Sequence, residues 1–279
     1  PEAMVFDFTG TADQVNVSIN CPANPEYFVK YLSCILRLLV PEIVMNDGQK
    51  EVLEAVIPTG TILSPEFPAS CSNRHWTIFR LTEVCMGALV KAMAGGGTGS
   101  SDTRCSVTFV ARDEGGRKFL IRDVMGAGSG ARPYADGDDC VTANVRGRNM
   151  PCEFFETFYP VQVEKLALRP DSGGPGKFRG GMGYLKEIRF LTEGFIMVAD
   201  DRMLLQPFGA SGGDAGAGSL YALNPETDQE LSIPNKTDFV PIKNGDVLRI
   251  LTPGGGGWGD PLDREPERVL QDVRLGRIS

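Results

Sequence analysis

The stretch SVTFVARDEGGRKFLIRDVM, Ser106–Met125, decides the fold class. Two runs alternate apolar and polar residues around Asp113-Glu114-Gly115-Gly116, the pattern of two antiparallel strands joined by a turn. Working downstream, Phe158–Arg169, Gly183–Phe190, Gly194–Ala199 and Asp246–Leu251 read as short strands between Gly/Pro turns. The chain then closes with a helix: Asp263 before it, Pro266 in its first turn and Gly276 after it.

Upstream of Ser106 the periodicity is different. VFDFTGTADQVNVSIN (Val5–Asn20) reads as strand, turn, strand. PEYFVKYLSCILRLLVP (Pro25–Pro41) places Phe28, Leu32, Ile35, Leu36 and Leu39 on one helical face. VLEAVIPTGTIL (Val52–Leu63) reads as a strand, a turn and a short extended piece. Trp76–Ala94 reads as a second long helix, stopped by AGGGTGSS (Ala94–Ser101). The expected class is therefore α+β: a helix-containing mixed part over 1–105 and a β-rich part over 106–279, as two parts or one continuous domain. No internal repeat is visible.

The 279 residues are 42% hydrophobic and 23% charged, as in an ordinary globular chain. A net charge of −8 argues against nucleic-acid binding through a basic footprint. The longest apolar run, Tyr31–Ile43, is interrupted by Arg37 and Pro41, so no membrane span is read. The chain opens at Pro1 without a basic start and apolar run, so no secretory leader is read and the true N-terminus is expected to be processed or missing. Seven scattered cysteines without a CxxC pair point to reduced thiols in a cytoplasmic protein. The single histidine, His75, leaves no pair of His ligands and no HExxH. It reads as a packed or surface residue.

Three stretches carry the glycines: DSGGPGKFRGGMG (Asp171–Gly183), PFGASGGDAGAG (Pro207–Gly218) and TPGGGGWGDP (Thr252–Pro261). Glycine serves where φ is positive or where something approaches closely, so a surface built from main chain is expected. GGPGK (Gly173–Lys177) is not a phosphate loop: Asp171 stands where its first glycine belongs and Phe178 where Ser/Thr would reach magnesium. GAGSGA (Gly126–Ala131) fits the dinucleotide pattern in letters only, because Arg132-Pro133 follows where a helix should start. DGDD (Asp136–Asp139) reads as a solvated turn or as part of a cation or ligand site. Glu153 and Glu156, three apart among aromatic residues, face opposite sides if extended and one side if helical. They suit acid/base work, or contact with a cation or an amide, or they are buried acids paired with Arg169, Arg179 or backbone amides. Asp171, Gly173, Gly174 and Arg179 could present amides and a guanidinium to a ligand, or mark a crossing of two loops.

Together these segments resemble the hydantoinase B/5-oxoprolinase family. The resemblance rests on DFTGT (Asp7–Thr11) with Gln14, NDG (Asn46–Gly48), Pro68–Asn73, GAGSGAR with Asp136-Gly137, PCEFFE with Pro160, RPDSGGPGKFRGGMG, PFGASGG and TPGGGGWGDP. It implies an ATP-dependent cyclic-amide hydrolase in which a hydantoinase A-type partner, using ATP with Mg, phosphorylates the amide or carbonyl oxygen of a small-molecule substrate. The B-type subunit then hydrolyses, or in related ketone carboxylases carboxylates, the activated species. A noncatalytic scaffold chain of such a complex is the alternative. The resemblance covers the family's C-terminal half. It implies an N-terminal half of the B-type subunit as a further partner, carrying any divalent metal, with no metal site in this chain. It also points to Glu153 and Glu156 as catalytic candidates and to Asn73, Asp171, Gly173, Gly174 and Arg179 as substrate-binding candidates. SCSNRHWT (Ser70–Thr77) departs from the family pattern there, and only Asn73 survives.

Overall fold

The computed structural model describes residues 3–39, 42–44, 46–92, 96–101, 104–112, 115–141 and 149–279. The fold is mixed α+β, in two compact units, Pro1–Gly96 and Gly97–Ser279.

The first unit holds β1 (Met4–Asp7), α1 (Pro25–Leu39), β2 (Leu53–Val56) and α2 (His75–Ala92). The expected opening hairpin does not form. Instead β1 pairs in parallel with β2, Met4 opposite Leu53 and Asp7 opposite Val56, and α1 lies in the crossover that a parallel pair requires. The reason lies in Asn20, whose side chain is fully buried. Its Oδ1 accepts the Val15 N–H, and its Nδ2 donates to the carbonyls of Val15, Val17 and Ser70. That amide ties down Val15 and Val17, while Ala12, Gln14, Cys21 and Ala23 bond the Gly60–Leu63 main chain, so the loop does not fold back on β1. Phe28, Leu32 and Ile35, from the face read for α1, pack with Leu81, Cys85 and Leu89 of α2 and with Leu63. Pro41, Met93 and Ala94 lie outside the described residues, as does the side chain of Leu39. His75 opens α2 with its ring near those of Trp76 and Phe79.

The second unit contains two antiparallel sheets. One has the order β10-β7-β3-β4, built from β3 (Cys105–Arg112), β4 (Lys118–Met125), β7 (Gly194–Ala199) and β10 (Lys236–Ile242). The other has the order β5-β6-β11-β8-β9, built from β5 (Val161–Leu168), β6 (Tyr184–Phe190), β8 (Leu220–Leu223), β9 (Leu231–Ser232) and β11 (Val247–Leu251). The hairpin read from Ser106–Met125 is β3–β4, Cys105 opposite Met125 and Arg112 opposite Lys118; Asp113-Glu114 lie outside the described residues. Val107, Phe109 and Ile121 of the first sheet share one apolar core with Ile188, Phe190, Leu248 and Ile250 of the second.

Two elements differ from their reading. The strand expected from Phe158 begins only at Val161, because Cys152–Phe158 forms a helix, α3, with Pro151 at its N-cap and Phe155 buried beneath it. The closing helix, α4 (Pro266–Arg274), is not capped by Asp263: Glu265 holds the cap position without a side-chain bond. Asp260 instead caps the short turn Pro261–Asp263 before it. Gly276 ends the helix at φ +65°, as read.

Candidate functional site

The glycine-rich stretches do not form a surface. They meet inside the second unit, where Thr252–Gly257 is buried throughout. Their hydrogen bonds follow a three-residue rhythm. Gly254 and Gly257 donate to Ala217 and Asp214 of one neighbour (3.1 and 2.9 Å). Gly255 and Trp258 donate to Gly181 and Phe178 of a second (2.9 and 2.9 Å), and Gly256 donates to Ser100 of a third (2.8 Å). On the accepting side, Gly128 and Ala131 donate to Pro253 and Gly256 (3.0 and 2.9 Å), again three apart. A chain with three residues per turn and no internal hydrogen bonds points successive amides in three directions, and this segment uses all three.

The glycines are there because a side chain would strike backbone. A Cβ on Gly254, Gly255, Gly256 or Gly257 would lie 1.8, 1.9, 1.9 or 2.0 Å from the carbonyl oxygen of Ser172, Ser129, Phe208 or Pro175. Four consecutive glycines thus touch four different places on the chain. None of them needs a left-handed φ. Close approach, not turn geometry, is the operative reason.

The candidates in DSGGPGKFRGG belong to this core. A Cβ on Gly173 would lie 2.1 Å from Gly180 O, and one on Gly174 would lie 2.4 Å from Asp214 O. The Gly174, Lys177 and Phe178 N–H groups donate to Gly255, Gly259 and Trp258 carbonyls (2.8, 3.2 and 3.0 Å). These three amides are therefore turned to the chain's own carbonyls rather than to a phosphate. GAGSGA is likewise tied: Gly128 and Ser129 donate to Pro253 and Asp138 carbonyls, and no helix follows.

Arg179 sits in a cage of charges. Its guanidinium is 5% exposed; Nη1 donates to Gly180 O (2.5 Å) and lies 3.4 Å from Asp139 Oδ1, and Nε lies 3.7 Å from Asp272 Oδ2. Asp272, the one buried residue of α4, also pairs with Arg264 (2.7 Å) and Arg277 (3.2 Å). Arg264 donates to both oxygens of Asp136 (2.8 and 2.9 Å), and Asp136 Oδ1 accepts the Arg179 N–H (2.8 Å). Burial opposes the charge of Asp136, but its hydrogen bonds with Arg264 and the Arg179 amide outweigh it and hold the carboxyl below the ordinary value. Of the DGDD acids, Asp136 and Asp139 are thus tied to arginines, while Asp138 stays exposed and pairs with Arg132 (3.1 Å). Three carboxylates, Asp136, Asp139 and Asp272, meet three guanidiniums, Arg179, Arg264 and Arg277. Asp171, at φ +56°, extends the arrangement: its N–H donates to Arg277 O (2.9 Å) and its Oδ1 accepts the Ser279 N–H (2.8 Å).

The other candidates lie elsewhere. Glu153 and Glu156 are exposed on α3, three apart on one helical face, beside the exposed and mutually stacked Phe154 and Phe158 (ring centroids 4.4 Å). Glu156 Oε1 accepts the Val163 N–H (2.8 Å). Among the described residues no hydrogen bond or ion pair joins this helix's acids to Arg169 or Arg179. Arg169 instead donates to the Gly218 and Thr252 carbonyls (2.6 and 2.9 Å). Asn73 belongs to the first unit, where its amide donates to Ser18 Oγ (2.9 Å) and its carbonyl accepts from Trp76 at the start of α2.

Two buried polar groups were not legible in the sequence. Asp200, fully buried, accepts the Asp201 and Arg202 N–H groups on one oxygen (2.6 and 3.0 Å) and the Tyr221 O–H on the other (2.9 Å); burial pushes its carboxyl up. Lys186 Nζ pairs with Asp123 at 2.6 Å and sits 4.7 Å above the Phe155 ring, beneath α3. Among the described residues no cluster of three or more His, Cys, Asp or Glu side chains could hold a metal ion, and no helix is long and apolar enough to cross a membrane.

The family model for hydantoinase B/oxoprolinase matches residues 1–261. The chain is 31% identical to the B-type subunit of a "Putative D-/L-hydantoinase" of Pseudomonas sp. (strain NS671), over 99% of this chain and 48% of that protein. It is 31% identical to 5-oxoprolinase 1 of Arabidopsis thaliana, over 92% of this chain and 20% of that protein. Among solved structures, the ATP-dependent caprolactamase from Pseudomonas jessenii superposes with a TM-score of 0.79 at 26% identity, over 96% of this chain and 48% of that one. A nucleotide-free acetone carboxylase gives 0.75 at 19% identity, over 99% and 42%, a likeness of fold. The chain spans about half the length of the hydantoinase polypeptide and a fifth of the oxoprolinase.

Proposed function

The chain belongs to the hydantoinase B/oxoprolinase family, and from that premise we propose that it serves in an ATP-dependent cyclic-amide hydrolase, acting on a substrate phosphorylated by an A-type partner. One observation carries the reading: the family match extends over residues 1–261, and a structure described as an ATP-dependent caprolactamase shares the fold across 96% of the chain. The chemistry is consistent with a division of labour. An amide oxygen is a poor leaving group until phosphorylated, and the activated species must then meet water only where hydrolysis is intended. ATP belongs to the partner in this reading: the phosphate-loop pattern fails in Gly173–Lys177, and the Gly174 and Lys177 amides bond the chain's own carbonyls.

Within the chain, Glu153 and Glu156 are the carboxylates assigned to the chemistry in this reading. They stand exposed beside Phe154 and Phe158, so a second chain covering the phenylalanines would also remove water from the acids. Asp171, Gly173, Gly174 and Arg179 take a supporting part, holding the frame through the contacts described above.

The test is reconstitution with the A-type partner and the remainder of the B-type assembly, scoring lactam-dependent ATP use and ring opening. Double substitution Glu153→Gln/Glu156→Gln should lower turnover at least tenfold, within the usual range for a lost acid or base. Unchanged turnover would remove the two acids from the mechanism. Bicarbonate-dependent ATP use with a ketone and none with a lactam would select a carboxylase component instead. A second reading, a noncatalytic scaffold, is favoured by the buried main-chain core and self-neutralised cage; retained ring opening after exchange of α3's polar residues would select it.

A further inference from the structure

The four-stranded sheet carries two arginines that no carboxylate among the described residues balances. Its core face bears Val107, Phe109, Ile121 and Asp123, so alternation places Ser106, Thr108 and Arg122 on the other face. Thr108 pairs with Arg122 across the β3–β4 ladder, and Ser106 lies diagonal to Arg122. Arg122 Nε donates to Ser106 Oγ at 3.1 Å. Arg104 precedes β3 by one residue. Its Nε is buried and has no hydrogen-bond partner. Among the described residues neither Arg104 nor Arg122 has a carboxylate partner. The Ser106 side chain is 1% exposed and accepts from Arg122, and no acceptor is found for its own O–H.

This arrangement is costly as it stands. A half-buried guanidinium has lost part of its hydration, and an unpaired buried N–H costs about as much as a lost hydrogen bond. A second guanidinium nearby worsens it. Both effects act on Arg104, whose pKa is lowered first by burial and then by the charge of Arg122. Arg179, Arg264 and Arg249 are each met by acids, and Arg169 by two carbonyls. A bound oxyanion would relieve every deficit at once. It would accept from Arg104 Nε, from the free Nη pair of Arg122 and from the Ser106 hydroxyl, and guanidinium forks match phosphate and carboxylate oxygens in spacing and plane.

We propose that Arg104, Ser106 and Arg122 form an oxyanion-binding site on the outer face of the four-stranded sheet, taking a phosphate or carboxylate group. It shares no residue with the acids of α3 or with the charged cage, and stands whether or not the proposed hydrolase reading does.

The experiment is thermal unfolding of the full chain titrated with inorganic phosphate, and separately with acetate, ionic strength held constant with sodium chloride. Wild type should show a saturable rise, about 4 °C at tenfold the dissociation constant. Arg104→Gln/Arg122→Gln should abolish it. A rise with phosphate alone assigns a phosphate-bearing ligand; a rise with acetate as well assigns a carboxylate. No saturable rise with either anion in wild type overturns the site, as does an equal rise in the double variant. Should the double variant not fold, Ser106→Ala and calorimetric titration of wild type decide. Weaker binding in Ser106→Ala supports the site, while no heat of binding in wild type, or unchanged affinity in Ser106→Ala, overturns it.

Discussion

Gly255→Ala tests whether the glycine core is what the contacts say it is. The new methyl group would lie 1.9 Å from Ser129 O, 2.2 Å from Ser129 C and 2.7 Å from Gly130 N. All three are main-chain atoms, so no rotamer change clears the space. Ordinary contact begins near 3.4 Å, so the two segments must part by about 1.5 Å, the difference between 3.4 and 1.9. Such a shift stretches the bonds Gly255 N–H to Gly181 O (2.9 Å) and Gly174 N–H to Gly255 O (2.8 Å). Overpacking costs about 1–3 kcal/mol and each buried amide left unpaired a further ~1–3 kcal/mol. The sum, roughly 4–6 kcal/mol, is a large part of a domain's total stability. Gly245→Ala is the control: its φ is +93° and no atom lies within 4 Å of the added carbon. Only backbone strain applies there, ~1–2 kcal/mol. In urea, with a slope near 2 kcal/mol/M, Gly245→Ala should lower the midpoint by ~0.5–1 M and Gly255→Ala by ~2–3 M, or leave no folded baseline. Trp258 lies in the same segment and reports the transition by fluorescence. If Gly255→Ala loses no more than Gly245→Ala, the core accommodates side chains and the close-approach argument is wrong.

Three further outcomes follow from the charges and thiols. Asp272→Ala leaves the buried guanidiniums of Arg179 and Arg264 short of a partner, and should cost ~3–5 kcal/mol in the same urea assay, against less than ~0.5 kcal/mol for exposed Asp263→Ala. Acid titration reads the same cage: Asp136 has a folded pKa below the ordinary 3.8, so its contribution is complete above that value and is lost as pH falls through the folded one. Asp136→Asn should therefore flatten the stability profile below pH 3.8, and an unaltered acid limb would contradict the cage. Burial pushes the thiols of Cys85 and Cys140 up to about 12, so iodoacetamide at neutral pH should leave both unmodified in the folded protein and label them in urea. Mass spectrometry showing Cys140 alkylated equally fast in both states would refute its burial.

What the sequence reveals depends on whether the information is local. The β3–β4 hairpin and the α1–α2 pair are visible because alternation and 3.6-residue spacing express one face of one element. β1 is misread because its partner is chosen far away: the following loop bonds Gly60–Leu63 and the Asn20 amide, and β2 lies some fifty residues on. α3 stays ambiguous in the sequence because Phe154, Phe155 and Phe158 between two prolines look as much like strand as helix. The glycines expose a deeper ambiguity. Gly245 and Gly255 are the same letter, one chosen for φ and the other for the absence of Cβ. A distinguishing signal was present in GGPGKFRGGMG and TPGGGG: glycine runs in several segments of one chain, more than separate turns require. The charge cage left a weaker trace. DGDD and the arginines of DREPERVLQDVRLGR are visible as charges, but Asp136 and Arg264 are 128 residues apart and nothing local pairs them.

The second unit therefore has two cores with different rules. Between the sheets, side chains such as Phe109, Phe190 and Ile250 pack in the ordinary way, and such a core absorbs changes of similar volume by repacking. Among the glycines there are no side chains to rearrange. Each segment is bonded to several others: the run from Gly254 to Trp258 alone donates to the segments containing Ala217, Gly181 and Ser100. Displacing one segment must break bonds to all of them, so the ensemble moves together or not at all. α4 is attached to this block by charge rather than by apolar burial, since Asp272 is its buried residue while Val269, Leu270 and Val273 stay exposed. Ion pairs fix direction as well as distance, because the Arg264 fork meets both oxygens of Asp136 while also holding Asp272. The position of α4 is thus inherited from an unyielding main-chain block, and the tail from Arg277 to Ser279 carries that constraint back to Asp171 at the start of the glycine loop.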